Sequence, residues 1–266
     1  MSLRDYLERW ARTTGLPHVL AAEGLDDGGT QLSALLVGSV ATGLCQEGSD
    51  VDIALLCDAS TYARLSPGRD WLRNRPTELR FGKQQLHYYA ATFDEVLRRV
   101  DDLDDRSLYV YGTAKVLLDP GGLFASRVVP AIQRPGLRKE RLEGKLDMLL
   151  RRTKALSGEA KRRANALVLA EMSLEVSSLA LKVIALLDDI PFDPRKRLVE
   201  TALAGPHGQE MAGPVAEMIR NASQWQDGND AFTDRLGHVC QRLCQAAAHG
   251  GFAVGLRSPD QRAQER

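Results

Sequence analysis

The periodicity of the apolar residues changes once along this chain of 266 residues. Up to about residue 125, short runs alternate in steps of two. Beyond Pro135, long stretches repeat in steps of three and four. The first pattern puts successive side chains on opposite faces of strands, and the second puts them on one face of helices. Both cannot serve one layer, so the chain is expected to divide. An α/β domain with a mixed sheet and flanking helices is expected over 1–125. An all-α helical domain is expected over 135–256, and a polar tail that frays over 257–266.

Within the first part, Leu3, Tyr6, Leu7 and Trp10 form one stripe of a helix over residues 2–14. A loop rich in Gly and Asp follows from Gly24 to Gly29. An apolar run from Ser33 to Val37 ends in Gly38-Ser39. In the run Asp50 to Cys57, the residues Val51, Ile53 and Leu55 alternate with Asp50, Asp52 and Ala54, the period of a half-buried strand. Thr77 to Phe81 and Gln85 to Thr92, joined by Gly82-Lys83, read as a hairpin, and Phe93 to Val100 as a helix. Asp119-Pro120-Gly121-Gly122 is a stop. In the second part, Leu169, Met172, Val176, Leu179, Val183 and Leu187 mark a long helix that Pro191 and Pro194 end. A helix from about Arg195, a loop at Gly205 to Gly208 and two more helical stretches follow.

Lys plus Arg and Asp plus Glu both number 35, so the formal charge is zero and a dominant electrostatic grip on nucleic acid is not expected. No apolar run reaches membrane-spanning length, the first residues lack the apolar stretch of a signal peptide, and the four cysteines form no dense framework. These features lead to the expectation of a cytoplasmic protein in a reduced setting.

Chemistry concentrates in Leu35 to Leu56. Asp50 and Asp52 project from the same face at the start of a strand, and two carboxylates that close repel unless a cation lies between them. Mg²⁺ takes hard oxygen ligands and keeps positions for substrate phosphates. Gly38 lets the backbone approach a ligand, and Ser39 with nearby amides can hold phosphate oxygens if a helix starts near Val40.

A strand ending in Gly-Ser, then about a dozen residues, then Ser-Asp-x-Asp before an apolar strand, resembles the polymerase-β-type nucleotidyltransferase superfamily. Gly38, Ser39, Ser49, Asp50 and Asp52 match that motif. A small α/β domain followed by a helical one is similar to the aminoglycoside and lincosamide nucleotidyltransferases. So, more loosely, is Leu186 to Leu198, where a proline loop leads into a Lys-containing helix. The resemblance implies transfer of a nucleoside monophosphate from an NTP, with ATP the expected donor, and release of pyrophosphate. It implies two Mg²⁺ ions on Asp50 and Asp52, and Ser39 and Ser49 at the nucleotide. The acceptor expected is a hydroxyl of a small molecule. A protein acceptor, as for antitoxin-type nucleotidyltransferases, and a catalytically decayed nucleotide-binding module are the alternatives. A homodimer is compatible with the sequence.

Members of the superfamily usually carry a third carboxylate on a later strand, and Gln85 to Thr92 contains none. Two residues stand as candidates for that place: Glu78 on the preceding strand and His87 on the returning one. Glu78 also has a plain structural reading, as a solvated residue paired with Arg80 or Lys83. His87 has another, as a packed histidine beside Tyr88 and Tyr89. Lys196, expected at a helix start, is a candidate cation facing the phosphates or an anionic acceptor. His238, Cys240, Cys244 and His249 have poor spacing for zinc, and the cysteines read as small core residues. Arg151-Arg152 and Lys161-Arg162-Arg163 read as solvated faces, and Asp101 to Asp105 as an exposed acidic loop.

Overall fold

A computed structural model describes residues 1–25, 31–65, 77–82, 84–162, 165–221 and 231–254. Lys83, the expected tail over 257–266 and most of the expected loop from Gly24 to Gly29 lie outside the described residues. The chain forms two compact units, Met1–Arg134 and Pro135–Arg266.

In the first unit α1 (Leu3–Trp10) opens on a capping box: the Ser2 hydroxyl accepts from the Asp5 amide, and Asp5 accepts from the Ser2 amide. The helical path does not stop near residue 14. It passes through a π turn at Ala11–Gly15 into α2 (Leu16–Glu23), because Pro17 sits in the first turn of α2, where a missing N–H costs nothing. β1 (Leu32–Val37), α3 (Gly38–Thr42), β2 (Val51–Cys57) and α4 (Ala59–Arg64) follow. Then come β3 (Thr77–Phe81), β4 (Gln84–Thr92), α5 (Phe93–Asp101), α6 (Asp105–Gly112), β5 (Lys115–Leu118) and, after a second π turn, α7 (Val129–Ile132).

The strands form one mixed five-stranded sheet in the order β3-β4-β2-β1-β5. β1 pairs antiparallel with β2 and β5, β4 pairs antiparallel with β3, and β2 pairs parallel with β4. Both faces are covered. Val51, Ile53, Leu55 and Cys57 pack with Leu7, Ala11, Leu16 and Val19 from the N-terminal helices. Ala54 and Leu56 pack with Phe93, Val96, Tyr111 and Phe124 on the other side. β2 is therefore buried on both sides except near Asp52, whereas its alternation alone suggested one wet face.

The acidic run after α5 is a helix junction and not an open loop. Asp102 pairs with Arg98, Asp104 caps α6 by accepting from the Ser107 amide at 2.8 Å, and Asp105 is buried.

The second unit is all helix: α8 (Leu137–Lys161), α9 (Ala166–Leu187), α10 (Leu198–Ala202), α11 (Pro206–Asn221) and α12 (Ala231–His249). The expected stripe of α9 lies in its core, with Leu169, Val176, Leu179, Val183 and Leu187 buried and Met172 packed against them. Arg138 ties α8 to the end of α9 by donating to the Leu186 and Leu187 carbonyls. Arg151 pairs with Asp147, Arg152 with Glu175 and Arg162 with Glu159.

Two boundaries differ from the sequence reading. The helix expected from Arg195 starts only at Leu198, because the Asp193 carboxylate accepts from the Arg195 amide and Arg197 takes a left-handed φ of 57°. Gly208, expected in a loop, lies in the first turns of α11, where the buried Asp188 carboxylate accepts from its amide and from that of His207.

The central place of β2 sets the energetic expectation. Ile53→Ala, at a fully buried position, should cost about 2–5 kcal/mol in urea unfolding. Val116→Ala, on exposed edge strand β5, should cost less than about 1 kcal/mol.

Candidate active site

The site is built by strand register. Asp52, the second residue of β2, lies opposite Val37 on β1 and opposite His87 on β4. His87 in turn lies opposite Glu78 on β3. Residues in register share a face, so Asp52, His87 and Glu78 line one row across the sheet. Asp50 precedes β2 and is delivered by a tight turn. The Ser49 amide donates to the Gln46 carbonyl at 3.0 Å, and the Gln46 amide donates to Ser49 Oγ at 2.8 Å. Gln84, at the start of β4, donates to the Ser49 carbonyl at 3.1 Å and ties this turn to the strand that carries His87.

Three side chains converge. His87 Nδ1 lies 2.8 Å from Asp50 Oδ2 and 3.6 Å from Asp52 Oδ1. One ligand atom from each of Asp50, Asp52 and His87 lies within 4.8 Å of the others, the one such cluster among the described residues. The three side chains are 43%, 35% and 20% exposed respectively, so the carboxylates can reach a ligand while the imidazole is held from behind. That hold comes from Gln85, whose amide nitrogen lies 2.9 Å from His87 Nε2. With the amide nitrogen donating, Nε2 accepts, and this assignment of the amide places the proton of a neutral ring on Nδ1, on the side of the carboxylates. Gln85 carried no signal in the sequence beyond its place two residues before His87.

Gly38 completes the pocket wall. It follows β1 with φ of +72°, and a Cβ there would lie 2.3 Å from Asp52 Oδ2 and 3.2 Å from its Cγ. The absent side chain makes room for the Asp52 carboxylate, and the positive φ turns the chain directly into α3. Ser39 is the next residue, half-buried, in the first turn of that helix. Ser49 is bound to the site through the turn that precedes Asp50.

Glu78 lies in register with His87 but outside the cluster. Its carboxylate accepts from Arg80 Nε at 2.5 Å, and that bond holds its pKa below the usual value. Lys196 is exposed in the turn before α10 of the second unit, not in a helix as expected. Behind the row, burial pushes the Tyr89 phenol up to about 12, and the Asp52 carboxylate adds to that rise. Burial raises the thiols of Cys240 and Cys244, Cys240 to about 11, and Cys240 packs in the helical core.

The donor set suits a divalent ion: two partly exposed carboxylates, an imidazole nitrogen with its second nitrogen anchored, and a wall cleared of a side chain.

Residues 22–112 match the nucleotidyltransferase domain family. This stretch contains the Gly-Ser turn, both aspartates and the histidine. A solved nucleotidyltransferase-like protein from Exiguobacterium sibiricum 255-15 is similar with a TM-score of 0.51. The match covers 92% of this chain and 77% of that one at 11% identity, so it shows the fold alone. No curated protein matches the sequence. The polymerase-β-type resemblance is thus supported, and neither finding singles out the aminoglycoside or lincosamide enzymes.

The Gly38–Asp52 approach can be measured by a double-mutant cycle in urea. Gly38→Ala should cost about 2–4 kcal/mol, combining left-handed strain with displacement of the carboxylate. With Asp52→Ala already present, the cost should fall to the strain alone, about 1–2 kcal/mol. Equal costs in both backgrounds would show that the two residues do not press on each other.

Proposed function

We propose that the chain transfers a nucleoside monophosphate from an NTP to a hydroxyl group of a small acceptor and releases pyrophosphate. The observation that carries this reading is the convergence of Asp50, Asp52 and His87 beside the Gly38 turn, inside the stretch that matches the nucleotidyltransferase domain family. Asp50 and Asp52 would hold divalent ions, Mg²⁺ in the simplest case and two in number. Such ions supply charge neutralisation at the triphosphate and a lowered pKa for the attacking hydroxyl.

The residues of the chain do the rest. Gly38 keeps the wall open beside Asp52, and Ser39, next along, would bind the β- and γ-phosphates through its hydroxyl and amide. The Ser49 turn fixes the height of Asp50 at the strand end. His87, with Nδ1 beside both carboxylates, would fill the third position of the site. Lys196 is proposed as a cation for the phosphates or for an anionic acceptor.

ATP is the proposed donor. The zero net charge favours a small acceptor over a long nucleic acid. No helix among the described residues is long and apolar enough to cross a membrane. The cysteines are free, which fits the cytoplasmic setting that forms part of the proposal.

The test uses NTPs labelled at the α-phosphate, offered with Mg²⁺ or Mn²⁺ to the purified chain and a panel of hydroxylated small molecules. The wild type should release pyrophosphate and label a small product identified by mass. Asp50→Asn and Asp52→Asn should each abolish both signals. Label on a partner protein would replace the small acceptor by a protein one. No release with any NTP would instead favour a decayed binding module.

A second comparison separates the two candidates for the third position. His87→Ala should lower the rate by about 10²–10⁴-fold. Glu78→Gln should remain within a few-fold of wild type, because its carboxylate lies outside the cluster and pairs with Arg80. The reverse order would move the third position to Glu78.

A further inference from the structure

On the reading of this site as a nucleotidyl-transfer centre, the third donor is a nitrogen, and its surroundings are built for that atom. We propose that His87 binds the ion directly through Nδ1, and that it shifts the preference of the Asp50–Asp52 site from Mg²⁺ towards Mn²⁺.

The nitrogen nearest the carboxylates is Nδ1, at 2.8 Å from Asp50 and 3.6 Å from Asp52. Donor atoms around one ion lie at most about twice a metal–ligand distance of about 2.0–2.2 Å from each other. The three ligand atoms lie within 4.8 Å of one another, close to that limit. Without an ion, the Nδ1 proton serves as the positive end of a dipole towards both carboxylates. A metal ion takes over that role when the proton leaves.

Gln85 supplies the partner for the second ring nitrogen. A metal-bound histidine normally donates its second ring N–H to a fixed acceptor, which sets the tautomer and the ring orientation. The Gln85 amide already sits 2.9 Å from Nε2. Rotated by half a turn, it presents its carbonyl oxygen to an Nε2–H in place of its nitrogen. The same side chain also hydrogen-bonds the Glu78 carboxylate, so the turn would exchange that bond for one to the ring. Gln85 and His87 alternate in phase along β4, so both reach the face of Asp52.

Ion preference follows from the donor chemistry. Mg²⁺ takes oxygen ligands in a near-ideal octahedron and gains little from imidazole, whereas first-row transition ions bind imidazole well. Mn²⁺ also keeps its affinity for the two carboxylates, so the mixed set favours it.

The test titrates the full chain with Mn²⁺ alone, following the free ion by its electron paramagnetic resonance signal, and then competes with Mg²⁺. Pulsed resonance on the bound Mn²⁺ reads directly coordinated nitrogen. Wild type should show nitrogen modulation and bind Mn²⁺ at least about tenfold more tightly than Mg²⁺. His87→Asp should abolish the modulation and lower the Mn²⁺ to Mg²⁺ affinity ratio by about tenfold. Gln85→Leu should keep the modulation but weaken Mn²⁺ by about tenfold, since it removes only the outer partner. His87→Asn, nearer in shape, serves if the aspartate variant melts early.

Bound Mn²⁺ that is lost in Asp50→Asn and Asp52→Asn, yet shows no nitrogen modulation or keeps its ratio in His87→Asp, would overturn the proposal and leave the transfer centre standing. Wild type that binds no Mn²⁺, or binding indifferent to both aspartates, would bring down both together.

Discussion

Register across β1, β2 and β4 is the constraint on which the site depends. β2 is the strand that both neighbours must read correctly, antiparallel on one side and parallel on the other. A slip of one residue on β4 would turn His87 to the face occupied by Leu16 and Val19, and would bring Leu86 or Tyr88 opposite Asp52. The apolar residues prevent it. Leu86, Tyr88 and Ala90 are buried with the N-terminal helices, so a slip would expose them and bury polar groups in their place. The chemistry at the strand ends is positioned by hydrophobic burial in the strand middles.

Gly38 shows how the same economy works at the edge of the pocket. A β-strand has to end, the chain has to turn into α3, and the Asp52 carboxylate has to fit between them. A residue with a side chain would meet the carboxylate and would resist the positive φ. One glycine meets both demands. Asp52 is thereby held against backbone on one side and beside His87 on the other, and its side chain is partly exposed. Such preorganisation limits the movement required when a ligand arrives.

Much of this was legible in the sequence where the signal is local. The alternation of Val51, Ile53 and Leu55 placed β2, and Asp50 and Asp52 fell on one face by counting alone. The hairpin of β3 and β4 was equally direct. What local pattern could not supply was pairing partners. That His87 meets Asp52 depends on a parallel pairing between strands separated by more than thirty residues, and no periodicity encodes it. β5, four residues long and on the sheet edge, gave no distinct pattern. α6 was hidden for a different reason: its cap, Asp104, lies in a run of acidic residues that reads as solvated surface until one of them is seen to accept from the Ser107 amide. The same applies to Asp193, whose turn delays α10 by three residues from where charge and spacing suggested.

A histidine at the third position changes what the pocket is before any ligand enters. Three carboxylates in this space would repel one another and would have to be held apart, protonated or neutralised by an ion taken from solution. Two carboxylates and an imidazole nitrogen replace one of the like charges by a group that can be neutral. The folded protein can therefore keep these groups converged without an ion, and the cost of assembling the site falls on folding and not on binding. The anchoring of Nε2 by Gln85 is the necessary counterpart, since a ring free to rotate would lose the arrangement that makes the substitution of nitrogen for oxygen worthwhile.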